Sequence, residues 1–274
     1  MPVALVTGCS SGFGEAIAVA LAERGYQVVA TLRNPASAPA GLKARAAVKS
    51  ADFVIAPLDV TKPAMRQAAI DLTLQRFGRL DLLVNNAGIT ARGAVEDIPE
   101  DLWRAVFDTN LFGPIELIRL ALPHMRRQGA GRIINVTSVA SFLKTPLLSV
   151  YTSSKHALDA VSAALDVETR SFGVRVACVM PGPFKTSLPQ NSLDRKASPP
   201  YEKITERFNA TFGAMEAKAP ADLSPVVNAV LAAATDPDPA LRYPAGTDAI
   251  GILPPILQAI APLQKIGLHV TGQD

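Results

Sequence analysis

Residues 3–14 of the chain read VALVTGCSSGFG, an apolar run followed by a loop that carries three glycines. The run has the composition of a buried strand, and helical spacing begins directly after the loop. Glycine at such a turn permits positive φ angles and lets backbone N–H groups approach a pyrophosphate at the helix N-terminus. The spacing of Gly8, Gly12 and Gly14 is Gly-x3-Gly-x-Gly, whereas the common dinucleotide fingerprint is Gly-x-Gly-x2-Gly. An ordinary strand-to-helix turn is the alternative, but the position of the loop after the first strand favours dinucleotide binding.

Beyond this loop, short apolar runs alternate with longer segments of helical spacing. Several runs are almost continuously apolar, as expected of strands that helices cover on both faces. The predicted strands are residues 3–7, 27–32, 53–58, 80–85, 132–137 and 174–180, and the predicted helices are residues 14–24, 63–77, 102–127 and 150–172. The helix over 102–127 is expected to break near Gly113 and Pro114. This alternation predicts the α/β class, with a single doubly wound parallel sheet of the Rossmann type and helices on both of its faces.

The pattern changes after Met180, where prolines become frequent. The elements expected there are a small helical lobe over 184–220 with a helix at 201–212, a helix at 224–234, a seventh strand at 241–243 and a final apolar helix at 254–265. Because no internal repeat or linker is visible, we expect residues 1–274 to form one domain with 251–274 as a C-terminal tail. The uncharged stretch 251–263 is too short to span a bilayer. It could seal a pocket, join subunits or lie on a membrane surface.

Composition excludes several classes of protein. Hydrophobic residues make up 49% of the chain and charged residues 19%, so a sizeable core is expected and disorder is not. The net charge is only +3 and the basic residues are scattered, which argues against a nucleic-acid surface. Cys9 and Cys178 are read as buried thiols of a reducing compartment. No secretory signal, no membrane span and no metal-ligand spacing is visible, so we expect a cytoplasmic protein without a metal.

Tyr151 and Lys155 lie four residues apart in the sequence YTSSK and would share one face of a helix. A nearby cation favours a phenolate, so Lys155 is expected to lower the pKa of Tyr151 toward the working pH. A phenol of that kind can donate a proton to a carbonyl or accept one from an alcohol. The alternative is a solvated tyrosine and lysine on a helix surface, since the spacing by itself is common.

The residues around this pair resemble the short-chain dehydrogenase/reductase family over positions 1–186. The family motifs found here, in the family's order, are Thr-Gly-x3-Gly-x-Gly at Thr7–Gly14, Asn-Asn-Ala-Gly at Asn85–Gly88, the lone helical Asn110, Ser138 after the fifth strand, Tyr151 and Lys155, Pro181-Gly182 after the sixth strand, and Thr186. The resemblance implies a dinucleotide-binding oxidoreductase.

The resemblance also implies the roles of these residues. Tyr151 would be the general acid or base, and Lys155 would hold the nicotinamide ribose and lower the pKa of Tyr151. Ser138 would hydrogen-bond the substrate oxygen, and Asn110 would anchor a water that links Lys155 to solvent. The implied cofactor-binding residues are Gly8, Ser10, Ser11, Gly12, Phe13, Gly14, Arg33, Asp59, Val60, Asn86, Ala87, Gly88, Tyr151, Lys155, Pro181, Gly182 and Thr186.

The choice of cofactor follows from charge at the end of the second strand. NAD-binding relatives usually place an acidic residue there for the ribose 2′-hydroxyl. Leu32 stands at that position here, and the next residue is Arg33, which could pair with a 2′-phosphate. We therefore expect NADP(H), unless Arg33 is only a surface residue. The pair Asp59-Val60 resembles the family's adenine contact, although Asp59 could instead cap the next turn.

The expected substrate is a small hydrophobic ketone or secondary alcohol. Apolar side chains of the lobe could form a lid, or could simply pack on the domain. They are Phe184, Leu188, Leu193, Tyr201, Ile204, Phe208, Phe212 and Met215. A second apolar group flanks Ser138 and comprises Val139, Phe142, Leu143, Leu147 and Leu148. No arginine is obviously placed to clamp a carboxylate.

The resemblance is loosely to the NADP-dependent branch that handles steroids and retinoids, and it implies homo-oligomers built through the helices over 102–127 and 150–172. With NADP(H), carbonyl reduction is the expected direction. The main alternative is a catalytically silent NADP-binding regulator on the same fold, although this chain keeps both Tyr151 and Lys155. A nucleotide-sugar epimerase is disfavoured because its glycine spacing differs from that found here.

Overall fold

The seven strands form one sheet in which every neighbouring pair is parallel. The computed structural model describes residues 1–48, 52–188, 192–247 and 249–251. The strands are β1 (Val3–Val6), β2 (Gln27–Leu32), β3 (Phe53–Pro57), β4 (Leu82–Asn85), β5 (Gly131–Val136), β6 (Val174–Pro181) and β7 (Arg242–Ala245). Their order in the sheet is β3-β2-β1-β4-β5-β6-β7. The predicted doubly wound parallel sheet of seven strands is therefore confirmed.

Helices cover both faces of this sheet. They are α1 (Gly12–Glu23), α2 (Ala40–Val48), α3 (Pro63–Phe77), α4 (Glu100–Phe107), α5 (Gly113–Gln128), α6 (Ser149–Thr169), α7 (Glu202–Lys218) and α8 (Ser224–Thr235). Alternate residues of a strand enter different cores, as the period of two requires: Val28 packs with α1 and α8, whereas Val29 packs with α3 and α5. Both faces are thus buried, which explains the continuous apolar runs in the sequence.

The order of the strands reverses beside β1, because β2 lies on one side of it and β4 on the other. Ligands of open α/β sheets bind beyond the carboxyl ends of the strands at such a switch point. The loops after β1 and β4 both lie there, and they bring the glycine loop next to the Asn85–Gly88 motif.

Three helices differ from the prediction. The helix α2 is absent from the prediction, because its single fully buried residue is Leu42 and no apolar stripe marks it. The expected break near Gly113 and Pro114 is instead a π-helical turn over Asp108–Phe112, through which the helical path continues. Proline has no N–H to donate to the carbonyl of Asn110, four residues earlier, and the N–H of Gly113 bonds to Asp108 five residues back.

The lobe helix α7 also extends six residues beyond the predicted end at 212. The predicted helix at 254–265 lies outside the described residues. Within the described residues, no helix has both the length and the apolar character needed to cross a bilayer.

Candidate active site

A cavity of about 900 Å³ opens at the carboxyl ends of the strands and extends to α7. It is lined by most of the residues that the sequence suggested for a site. These are Gly8, Ser10, Ser11, Gly12, Phe13, Arg33, Asp59, Val60, Asn86, Ala87, Gly88, Ser138, Tyr151, Lys155, Pro181, Gly182 and Thr186. Gly14 and Asn110 are absent from its wall, and both are buried behind it.

Two positions of the loop must be glycine, because backbone atoms of neighbouring residues lie too close for a Cβ atom. Gly8 has a φ of +71°, and a Cβ there would lie 2.7 Å from the Cα of Ala87. A Cβ on Gly14 would lie 2.2 Å from the carbonyl oxygen of Gly8. Contacts this short exclude any side chain, so the loop folds tightly over the first turn of α1.

Thr7 and Asn86 lock the glycine loop to the loop after β4. The Thr7 hydroxyl oxygen accepts hydrogen bonds from the N–H groups of Asn86 and Ala87, both at 3.0 Å. In return, the Asn86 side chain donates to the carbonyl oxygens of Thr7 and Gly8, at 2.9 and 3.2 Å. The two sequence motifs therefore form a single structural unit at one end of the cavity.

This unit fits the phosphates of a dinucleotide. Ser11 precedes α1 with an extended backbone, and its side chain accepts no hydrogen bond from the first turn of that helix. The Ser11 hydroxyl instead pairs with the hydroxyl of Ser187. The first turn of α1 therefore receives no side-chain cap from Ser11, and a helix N-terminus of this kind attracts an anion.

The far end of the cavity lies at the end of β2. Leu32 is only 2% exposed, while Arg33 is exposed at the rim. Asp59 accepts hydrogen bonds from the N–H and the hydroxyl of Thr61, at 2.9 and 2.7 Å. Burial alone would raise the pKa of Asp59, but these bonds and the charges of Lys62 and Arg33 hold it below its usual value. Asp59 thus caps the next turn and also lines the cavity, while its contact with adenine stays a prediction.

The expected effect of Lys155 on Tyr151 is wrong for the arrangement in the structure. Burial raises the pKa of Tyr151, although a hydrogen bond with Ser138 lowers it in part. Burial also lowers the pKa of Lys155, to about 8. The ammonium donates to the carbonyl oxygen of Val136 at 2.8 Å. Loss of water around each group is therefore the main influence on its pKa.

Ser138 and Asn110 are both held in place by backbone groups. Ser138 begins the short 3-10 turn Val139–Phe142, and its hydroxyl oxygen accepts the N–H of Ala140 at 3.1 Å. Asn110 lies in the π-helical turn, where its amide accepts from the N–H of Ile89 and donates to the carbonyl of Ile89, both at 2.9 Å. The same amide donates to Ser154 at 3.0 Å. Asn110 therefore connects α6 to the loop after β4.

Apolar side chains form the other half of the cavity. Those that line it from the two predicted groups are Phe184, Leu188, Ile204, Phe208, Phe212, Met215, Val139, Leu143 and Leu148. Four residues of those groups do not line it, namely Leu193, Tyr201, Phe142 and Leu147. Tyr201 donates its hydroxyl to Glu96, and Phe142 packs edge-on against His156 at 5.4 Å.

Arg92 and Arg207 also line the cavity, and neither was among the predicted site residues. Arg92 donates to Glu216 at 3.0 Å, and its guanidinium lies 4.7 Å from the centre of the Phe212 ring. These partners are more than a hundred residues away in sequence, so no local pattern could have indicated them. The contacts tie α7 to the loop after β4.

Comparison with known proteins agrees with this geometry. The family model described as short chain dehydrogenase matches residues 2–197. An uncharacterized oxidoreductase of Bacillus subtilis, YusZ, is 40% identical over 203 residues, which cover 73% of this chain and 71% of that protein.

Two solved structures extend the likeness to the whole fold. A short-chain dehydrogenase from Streptomyces avermitilis has a TM-score of 0.84 at 33% identity, with 100% of this chain and 98% of that one covered. A short chain dehydrogenase/reductase from Burkholderia phymatum, solved in complex with NAD, has a TM-score of 0.80 at 25% identity, with 96% and 95% covered. The chain therefore belongs to the short-chain dehydrogenase/reductase family of oxidoreductases, whose cofactor is a nicotinamide dinucleotide.

Proposed function

We propose that this protein is an NADP(H)-dependent oxidoreductase that interconverts hydrophobic ketones and secondary alcohols. The observation that carries the proposal is the position of Tyr151, Ser138 and Lys155 on one wall of a cavity that also contains the glycine loop. A nicotinamide cofactor bound in this cavity would supply or accept the hydride.

The residues of the chain would handle the proton and the developing charge. Tyr151 donates its phenolic proton to the carbonyl oxygen during reduction and takes it back during oxidation. Ser138, whose hydroxyl oxygen is already fixed by Ala140, donates a hydrogen bond to the same substrate oxygen, where negative charge builds up. Lys155 would hold the nicotinamide ribose hydroxyls and would stabilise the phenolate after the proton has left.

Asn110 would maintain the supply of protons. Its side chain is committed to Ile89 and Ser154, so it is rigid. Pro114 offers no N–H to the carbonyl oxygen of Asn110, and we propose this oxygen as the acceptor for a water that links Lys155 to solvent. A proton could then pass from solvent through Lys155 to Tyr151.

Support for NADP(H) rests on Leu32 and Arg33. Leu32 offers no carboxylate to a ribose 2′-hydroxyl, and Arg33 presents an exposed cation at the same end of the cavity. The Burkholderia relative was solved with NAD, so membership of the family does not by itself decide between the two cofactors.

Support for an apolar substrate comes from the lobe, which we assign to residues 184–220. Ile204, Phe208 and Met215 line the cavity. Phe184 lines it beside the glycine loop, with its ring 5.5 Å from that of Phe13. A bulky apolar carbonyl compound would bury its surface there.

Other features of the molecule fit the same proposal. We assign residues 1–274 to one domain and expect a homo-oligomer formed through α4, α5 and α6. Phe112, which ends the π-helical turn between α4 and α5, is 52% exposed. The free thiols of Cys9 and Cys178 suit a reducing, cytoplasmic location.

Replacement of Tyr151 by phenylalanine tests the mechanism. A panel of steroid, retinal, aryl and aliphatic ketones is screened with NADPH, and the best substrate is then used for both proteins. We expect Tyr151→Phe to bind NADPH as the parent does and to lose at least about a hundredfold in kcat, because general acid catalysis contributes about 10²–10⁴-fold. Tyr26→Phe, a change at a half-buried residue that does not line the cavity, is the matched control and should keep parent activity.

Two results would contradict the proposal. Near-parent kcat in Tyr151→Phe would remove the proposed acid. NADPH binding by the parent with no turnover across the panel would favour the silent regulator.

A further inference from the structure

The face of α6 that rests on the sheet is polar. Its buried residues include six polar side chains and only two apolar ones, and the polar six are Ser154, Lys155, Asp159, Ser162, Asp166 and Thr169. Helices of globular proteins usually bury an apolar stripe against their sheet. The helix that carries Tyr151 and Lys155 is therefore docked by directional contacts rather than by apolar packing alone.

The strongest of these contacts joins Asp159 to Arg242 of β7. The guanidinium donates to both carboxylate oxygens, from Nε at 2.9 Å and from Nη2 at 2.7 Å. The side chain of Asp159 is 3% exposed and that of Arg242 is 8% exposed. A parallel double hydrogen bond of this kind fixes direction as well as distance. Asp159 lies one helical turn beyond Lys155, on the same face of α6.

A row of side chains continues from Arg242 across the sheet. Asn85, Asn135, Cys178 and Arg242 are register partners on four adjacent strands. Asn85 donates to Asn135 at 2.9 Å, and Asn135 donates to Ser162 of α6 at 2.8 Å. The thiol of Cys178 lies within hydrogen-bonding reach of both Asp159 and Ser162. The row thus meets α6 at two points, only one turn apart.

The edge strand β7 also supports the wall of the cavity. The carbonyl oxygen of Ala245 accepts the N–H of Gly182 at 2.9 Å, and Ala245 is the register partner of Pro181. Arg242 stands three residues before Ala245 on the same strand. The ion pair therefore connects the helix that carries Tyr151 to the strand that holds the Pro181–Gly182 wall.

We propose that Asp159 and Arg242 are positioning residues. They fix the position of α6 along its axis and its rotation about that axis, so that Tyr151 and Lys155 are aligned with the cofactor side of the cavity. This inference rests on the proposed function. A displacement of about 1 Å at a reacting group can cost a hundredfold in rate, so a small rotation of α6 is sufficient for a measurable effect. A purely structural pair would instead affect only stability.

Stability and positioning can be separated by removing both charges together. Breaking one side of a buried ion pair is strongly destabilising, whereas apolar replacement of both sides is often neutral. In Asp159→Val/Arg242→Met the methionine would lie against Phe142, whose ring is 5.7 Å from the guanidinium of Arg242 in the parent. This double variant is expected to keep the parent melting temperature within a few degrees but to lose the directional contact.

The matched control is Asp166→Asn. Asp166 is a second buried carboxylate on the same face of α6, two turns beyond Asp159, and it pairs with Arg175 at 3.0 Å. We expect Asp166→Asn to lower the melting temperature and to leave kcat within twofold of the parent. The double variant should lose about ten- to a hundredfold in kcat and should bind NADPH several-fold more weakly, because Lys155 moves with the helix.

Each outcome decides the matter. Parent-like kcat in the double variant, or an equal loss of kcat in Asp166→Asn, would overturn the inference. If the double variant does not fold, Arg242→Lys replaces it, since lysine keeps the charge and loses the paired geometry. A several-fold loss of kcat in Arg242→Lys without a matching loss of stability supports the positioning role, and parent kcat overturns it. If the parent turns over no ketone, the proposed function fails, and NADPH affinity alone then tests whether α6 has moved.

Discussion

Removal of the charge of Arg33 should weaken the binding of NADPH far more than that of NADH. Arg33 is exposed at the end of β2, and within the part of the chain that the structure describes it makes no hydrogen bond or ion pair. Asp59 is close enough for the charge of Arg33 to lower its pKa. Arg33→Ala therefore removes a cation from the rim of the cavity without breaking a structural contact.

The size of the effect follows from exposure. A hydrogen bond to a charged group is worth about 1.5–3 kcal/mol. Water screens an exposed arginine, and Asp59 competes for it, so we expect about 1–2 kcal/mol here. At about 1.4 kcal/mol per tenfold change in affinity, the dissociation constant for NADPH should rise about five- to thirtyfold. That for NADH should change less than about twofold, because NADH carries no 2′-phosphate for Arg33 to contact.

Titration of the enhanced fluorescence of bound NADPH and NADH measures both constants directly. Arg24→Ala is the matched control, since Arg24 is also exposed, ends α1 and does not line the cavity. Tighter binding of NADH than of NADPH by the parent would refute the reasoning. Equal weakening of both cofactors by Arg33→Ala would refute it as well.

Two further substitutions test how the glycine loop and the helix α6, which both support the site, are stabilised. Gly14→Ala places a Cβ 2.2 Å from the carbonyl oxygen of Gly8, so the loop must shift, and we expect a loss of about 2–3 kcal/mol in urea unfolding; unchanged stability would mean that the loop relaxes freely. For Asp166, burial alone would raise the pKa, but hydrogen bonds from Arg175 and the Val176 N–H hold it below its usual value. A lowered folded pKa gives stability that is present above about pH 4 and lost as the pH falls through the folded pKa. Asp166→Asn should therefore cost about 2 kcal/mol at pH 7 and less at pH 3, and a difference in unfolding free energy that does not vary with pH would contradict this.

The sheet could be predicted from the sequence because every strand signal was local. Val28 and Val29 face opposite cores. Burial on both faces of the sheet therefore requires apolar residues at consecutive positions, and such a run is visible in the sequence. The helix α2 left no such signal, because it rests on the fold through Leu42 while its other side chains are half-buried or exposed. Helix existence can be read from sequence only where a face is buried.

The candidate site was predictable where family motifs cover it and not elsewhere. Asn86 and Gly8 could be placed together because their motifs follow β4 and β1, which are neighbours in the sheet. The pairing of Asp159 with Arg242 spans 83 residues and depends on the position of β7 beside β6. Sequence spacing contains no information on such a contact, and each residue alone resembles a surface charge.

The pKa of Tyr151 was predicted in the wrong direction for a related reason. Spacing on a helix indicates which groups are neighbours, but it does not indicate how much water surrounds them. Lys155 is 5% exposed, and its ammonium group donates a hydrogen bond to the backbone carbonyl oxygen of Val136. Dehydration then controls the titration of both groups.

In the proposed mechanism, these protonation states would favour carbonyl reduction. A raised pKa keeps the Tyr151 phenol protonated at neutral pH, so the group is ready to donate a proton rather than to accept one. Lys155, with a pKa lowered to about 8 by burial, is largely protonated at pH 7. Alcohol oxidation would require Tyr151 to begin as the phenolate, against the effect of burial. Oxidation should therefore become fast only at alkaline pH, whereas reduction should proceed near neutrality.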